Sequence, residues 1–163
     1  KLLRNKIKNH PRYPYHLLRE EMQEFILDKL QLLIERKLIK GIGENGTEYT
    51  VIAQILDLPK EILRLIQKFD FTKKNPKLIY INTGETMISL QDSILVTFLN
   101  LAGFDILFFV PTGYQSVENY FAEKLMEEHQ IGEYKYDMQV PDLNNISTNS
   151  TRPSWRRKLF RRG

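Results

Sequence analysis

The dipeptide Thr-Gly stands twice in the same setting, at Thr83-Gly84 and at Thr112-Gly113. Each copy follows an apolar run rich in β-branched and aromatic residues, Lys77-Leu-Ile-Tyr-Ile-Asn82 and Asp105-Ile-Leu-Phe-Phe-Val-Pro111. Each precedes a serine, Ser89 or Ser116, that opens a helix-period stretch. A glycine at the end of a strand lets the backbone turn sharply and approach a ligand closely. The threonine adds a hydroxyl. A helix N-terminus just beyond offers N–H groups and a positive dipole, which suit phosphate or carboxylate. Glu85 is the carboxylate best placed to act as a base or to hold ribose hydroxyls, and Tyr114 could stack on a base or sugar. The plainer account of each is structural. Thr-Gly is ordinary turn punctuation, Glu85 a solvated loop acid, and Tyr114 a ring packed over its own loop. Neither copy matches the glycine-rich dinucleotide fingerprint or the phosphate loop with its lysine, so no cofactor is named by this pattern.

The other reactive residue types do not assemble. There is no cysteine, which excludes disulfides, thiolate metal sites and a cysteine nucleophile. His16 and Glu20 are four apart on an expected helix, too few ligands for a metal. His10 falls in a basic stretch. His129 is expected to end a helix beside Glu127 and Glu128, with a dipole-paired imidazole as the simple account. Ser89 and Ser116 lack the nucleophile elbow and read as helix caps, and Glu118 as a first-turn acid. A further expectation is that His129-Gln-Ile-Gly132-Glu133-Tyr134 folds back over the crevice.

The elements that would position the Thr-Gly turns follow from periodicity. Apolar residues recur at three and four from about 15 to 40 (Leu18, Met22, Phe25, Ile26, Leu30, Leu33, Ile34), predicting a helix stopped by Gly41. Residues 48–57 are ambiguous between strand and helix. Pro59 opens a helix over about 59–68 with Ile62, Leu65 and Ile66 on one side. Phe69-Asp-Phe71 is expected to plug the core. Strands over 77–82 and 105–110, short and apolar as if buried on both faces, flank a helix over about 90–102 capped by Ser89. The crossover rule makes them parallel. A last helix over about 117–128 completes a β-α-β-α unit, and a further short strand is expected over 133–140. In an open parallel sheet the crevice beyond the strands' carboxyl ends is where ligands bind, and both Thr-Gly turns would lie there.

Charge is unevenly spread. The total is +4, but residues 152–163 carry +6 and residues 1–12 carry +5, leaving −7 on residues 13–151. Basic ends can touch anionic partners, whereas the acidic body argues against a nucleic-acid-binding face. The end Trp155-Arg156-Arg157-Lys158-Leu159-Phe160-Arg161-Arg162 reads either as a basic amphipathic helix for an anionic membrane or partner, or as a solubilising disordered tail. Residues 142–154 are rich in Asn, Ser and Thr and are expected to be disordered. A composition of 42% hydrophobic and 27% charged residues is that of a soluble globular chain. No apolar run approaches the roughly 18–20 residues of a membrane span. A first residue of Lys rather than Met leads us to expect a piece of something longer.

The stretches Phe69-Asp-Phe-Thr-Lys-Lys-Asn-Pro76-Lys-Leu-Ile-Tyr-Ile-Asn-Thr-Gly84, Pro111-Thr-Gly-Tyr-Gln-Ser-Val-Glu118, His129-Gln-Ile-Gly-Glu-Tyr134 and Val140-Pro-Asp142 resemble the carboxyl-terminal part of YceG-like proteins. That family is encoded with bacterial tellurite-resistance and general stress clusters and is described as a component of a biosynthetic module. It is unrelated to the membrane-bound murein transglycosylases of the same name. The resemblance implies a cytoplasmic bacterial stress-response protein, acting near enzymes that make a small metabolite. It supplies no catalytic residues.

Together these readings predict an α/β fold. A basic arm (1–12) and a helical segment (13–71) precede a small Rossmann-like parallel-sheet lobe (72–141) and a disordered linker with the basic tail (142–163). The expected function is a ligand-binding lobe for an anionic or sugar- or nucleotide-like metabolite, as one half of a transferase-like enzyme. Thr83, Gly84, Glu85, Thr112, Gly113 and Tyr114 line it, and an upstream domain of the same protein pairs with it. The alternative is a non-enzymatic scaffold docked on membrane or partner through Arg156, Arg157, Lys158, Arg161 and Arg162, peripheral to the membrane from the cytoplasm.

Overall fold

The computed structural model describes residues 2–68, 74–84, 88–114 and 117–140. Phe69 and Phe71, Glu85, Ser116, residues 142–154 and the basic tail lie outside these. Helices α1 (Arg4–Lys8), α2 (Glu20–Glu35), α3 (Thr47–Ile55) and α4 (Lys60–Lys68) are followed by strand β1 (Lys77–Ile81), helix α5 (Leu90–Leu101) and strand β2 (Asp105–Phe109). A single 3-10 turn, Val117–Tyr120, comes last. The mixture is α/β.

The core is built by α2, α3 and α5, which pack on one another. Ile26, Leu27, Leu30 and Leu33 of α2, Val51 and Ile55 of α3, and Ile94, Phe98 and Leu99 of α5 are fully buried. Of residues 48–57, which strand propensity and helix period divided, those up to Ile55 are helical. Val51 and Ile55, four apart, meet α2 and α5, and that burial outweighs the modest β preference of Thr47, Thr50 and Val51.

Helix α2 is shorter at both ends than its apolar period. At the front, Tyr15 turns into the core. Its hydroxyl donates to the Ile55 carbonyl at 2.6 Å and accepts from the Leu58 N–H at 3.1 Å, so the chain folds back before the helix begins. His16 therefore lies in a turn, edge-on to the Tyr13 ring, and shares no helix face with Glu20. At the back, Lys37 takes φ 51°, the Leu38 N–H donates to Leu33 and the Lys37 N–H to Ile34. This is a Schellman stop with lysine where glycine is usual, and it ends the helix before Gly41. Helix α5 closes in the same way around Gly103 at φ 100°, with Phe104 bonded back to Leu99. In α4 Ile66 is buried, but Leu65, expected inward, is exposed.

Strands β1 and β2 pair in parallel, Lys77 opposite Asp105 through Ile81 opposite Phe109, with α5 between them in sequence. Among the described residues only one face is covered. Leu78, Ile106 and Phe108 pack on the core, and Tyr80 stacks on Phe108 at 5.1 Å. The other face presents Ile79, Ile81, Leu107 and Phe109, which are 56%, 39%, 49% and 41% exposed. The expectation of strands buried on both faces is corrected for this sheet. So is the β-α-β-α count, because among the described residues the unit is β-α-β.

The helix expected over 117–128 stops after its one 3-10 turn. The Tyr120 carbonyl accepts from Lys40 and the Ala122 N–H donates to Leu38, forming a bridge of Ile39 with Phe121. Backbone groups that would have continued the helix are paired there instead. Residues 133–140 form no strand.

Candidate functional site

The register sets the site. Because Ile81 lies opposite Phe109, the two strands end together, and the Asn82 N–H donates to the Phe109 carbonyl at 2.9 Å. Both Thr-Gly turns thus leave the same end of the sheet side by side.

The first turn is held by Asn82. Its Oδ1 accepts from the Gly84 N–H at 3.2 Å, so that N–H is committed to an Asx turn. Thr83 is half-buried and Gly84 exposed. Glu85 lies outside the described residues. Across the approach to this turn, Ser89 caps α5, accepting from the Asp92 N–H at 3.0 Å and donating to Asp92 Oδ2 at 2.6 Å. The Tyr80 hydroxyl is raised above its ordinary pKa, first by burial and then by the Asp92 carboxylate. Asn82 and Tyr80 were not singled out from sequence, whereas Asp92 follows from its place three residues after Ser89, the acid of a capping box. The Asn immediately before Thr-Gly was the available signal for the Asx turn.

The second turn is tighter. The Gly113 N–H donates to the Val110 carbonyl at 3.0 Å, and Gly113 has φ 72°. Thr112 is 6% exposed, and its hydroxyl has no hydrogen-bond partner among the described residues. Tyr114 is exposed. The chain after the 3-10 turn does return here. The Lys135 N–H donates to the Pro111 carbonyl at 2.8 Å, and the Tyr134 ring lies so close that a Cβ on Gly113 would run into it. The predicted fold-back of residues 129–134 is therefore seen at Tyr134, and it covers part of the second turn. His129 ends no helix. It is exposed and 3.6 Å from Glu127 Oε2.

The helix dipoles expected behind the turns are only half present. Helix α5 follows the first turn, but the second leads to four residues of 3-10 helix. The Gly84 and Gly113 amides are spent on their own turns. Among the described residues, hydroxyls remain for a ligand at Thr83, at the buried Thr112 and at Tyr134. No three His, Cys, Asp or Glu side chains among the described residues come close enough to hold a metal ion. Asp105, held below its usual range by Lys77 at 2.6 Å and by Asn75, sits at the opposite end of the strands.

Fold and site define an α/β module. A helical core carries a parallel β-α-β unit whose strand ends form one crest. The YceG domain family model matches residues 1–151, and the chain belongs to that family. It is similar to YceG of Bacillus subtilis (strain 168), 31% identical over 93 residues, which are 55% of this chain and 17% of that protein. The chain thus spans less than a fifth of the length of the relative it matches. No solved structure matches it. No helix among the described residues is long and apolar enough to cross a membrane.

Proposed function

We propose that the crest of the sheet binds a small polar metabolite, anionic or sugar-like, with Thr83, Thr112 and Tyr114 as contacts and Tyr134 as a partial cover. The observation that carries this reading is Thr112. A buried hydroxyl with no partner costs stability, about 1–3 kcal/mol in such settings, and a ligand oxygen would satisfy it. The side-by-side exit of the two turns supports the same site. The hydroxyl-rich, amide-poor lining favours a sugar or sugar phosphate over a bare anion. Glu85, next to Gly84 in the chain, would add the carboxylate for ribose hydroxyls.

In the whole protein this lobe would be Rossmann-like, its outer sheet face completed by an upstream domain that supplies the second wall. It would serve as half of a transferase-like enzyme in a cytoplasmic, tellurite-resistance-associated stress module. The exposed apolar quartet on the sheet and the much greater length of the relative support a second wall. The rival scaffold reading, docking through Arg156, Arg157, Lys158, Arg161 and Arg162, rests on residues outside the described ones.

Calorimetric titration of ribose 5-phosphate and of inorganic phosphate into native and Thr112→Val protein tests the site. We expect pentose phosphate binding that weakens about tenfold in the variant while the fold holds. Equal affinity in both proteins would remove the crest as the site.

A further inference from the structure

Helix α1 is a poor helix by itself. It has five residues, no buried residue and no side-chain cap, far below the roughly 12–15 residues that a free helix needs. It is held from outside. Two of its three cations, Arg4 and Lys8, are one turn apart, and they face three acids of α2, Glu20, Glu24 and Asp28, themselves one turn apart in succession. Arg4 Nη1 lies 2.5 Å from Asp28 and 3.5 Å from Glu24, while its Nε and Nη2 donate to Gln31 Oε1 at 2.9 and 2.7 Å. Lys8 Nζ bonds Glu24 at 2.8 Å and also Glu20.

The apolar side of α1 fits its seat less well. Leu3 and Ile7, also one turn apart, face Tyr49, Ile52 and Leu56 across an open groove of about 490 Å³ that Lys6, His10 and Arg12 rim. Leu3 is 60% and Tyr49 74% exposed, so the groove is walled but not filled. Tyr13 lines the same groove at 4% exposure. Its hydroxyl, in the field of Lys8, Glu20 and Glu24, has no hydrogen-bond partner among the described residues.

We infer that the acidic stripe of α2 and the apolar ridge of α3 form a receptor for a basic amphipathic helix, and that α1 is its resident, displaceable occupant. The fitting partner is a peptide helix with two cations at i and i+4, flanked by aliphatic or aromatic residues larger than Leu3 and Ile7. Charge complementarity selects the basic partner. The underfilled groove and the unpaired Tyr13 hydroxyl leave it contacts that α1 does not make. This inference is independent of the crest of the sheet.

The test uses a fluorescein-labelled peptide copying residues 2–12 and a shuffled peptide of the same composition. Fluorescence anisotropy is read on the full chain and on its Arg4→Glu/Lys8→Glu variant, in which α1 no longer competes. The ordered peptide should bind the variant at least tenfold tighter than the native chain. Adding Glu24→Gln and Asp28→Asn should abolish that gain. Equal binding to native and variant, or equal binding of the shuffled peptide, would overturn the receptor. Should the variant lose its helical circular dichroism, hydrogen exchange of the amides of residues 4–8 in the native chain decides. Excess ordered peptide should accelerate it, and unchanged exchange refutes displacement.

Discussion

At Tyr15 one hydroxyl serves two backbone groups at the end of α3, the Ile55 carbonyl and the Leu58 N–H. Burial pushes this hydroxyl up to about 12, so it stays protonated and able to donate throughout ordinary pH. Tyr15→Phe keeps the ring and strands both partners. The expected loss is about 1–3 kcal/mol in urea unfolding. Thr112 behaves in the opposite sense. Thr112→Val removes a hydroxyl that pairs with nothing among the described residues, and the unliganded chain should gain up to about 1 kcal/mol while ligand affinity falls. A residue kept only for packing would not separate the two readouts. Lys37 is the third such position. It holds the left-handed geometry that Gly103 holds in α5, and Lys37→Gly should raise stability by about 1 kcal/mol on the same urea curve. None of these three roles was legible in the sequence. A tyrosine, a threonine and a lysine carry no mark of an unusual partner or φ, whereas the roles of Ser89 and Gly103 follow from residue type and place.

Elements were legible where an apolar stripe coincided with a start or stop signal. Helix α5 has both, Ser89 before it and Gly103 after it, and its limits agree with the period within a residue. Helix α2 has the stripe without the signals. Arg19 makes no side-chain cap and the stop is Lys37, so period alone extended it to 15–40. The stretch 117–128 has neither a full stripe nor free backbone groups, since Tyr120 and Ala122 pair with Lys40 and Leu38. Helix α1 was hidden by its charge. Read alone, residues 1–12 are a basic arm for an outside anion, but two of its cations are engaged by α2. This pairing sets a pH window. Hydrogen bonding to Lys8, aided by the charges of Lys8 and Arg4, lowers the Glu24 pKa, so its contribution is present above the ordinary carboxylate value and is lost as pH falls through the lowered one. Bonding to Glu20 and Glu24 raises Lys8, whose contribution is full below its ordinary value and is lost as pH rises through the raised one. Attachment of α1 should therefore be firmest between about pH 5 and pH 10. Hydrogen exchange at residues 4–8, corrected for intrinsic rate, should show protection falling on the acid side and with added salt. Flat protection from pH 7 to pH 3 would mean that the carboxylates do not hold α1.

For the molecule as a whole, the informative surface is the outer face of the sheet. Parallel strands normally have both faces covered, and a two-stranded sheet stands only by packing on something else. Here α5 and the helical core cover one side. Sequence could not distinguish this from a doubly covered sheet, because Ile79, Ile81, Leu107 and Phe109 are as apolar as strands buried on both sides require. Their type speaks for burial while their position in this chain is exposed. If the inner face alone secures the fold, Ile79→Thr with Leu107→Thr places a β-branched residue at both positions and leaves unfolding free energy within about 0.5 kcal/mol. Phe108→Ala, on the inner face, should cost about 2–3 kcal/mol. The outer pair should act instead on association, lowering binding of the dye ANS and slowing concentration-dependent aggregation, since exposed apolar patches drive both. A large stability loss from the outer pair would instead mean that other chain already packs on that face in solution, and would place the second wall within this polypeptide.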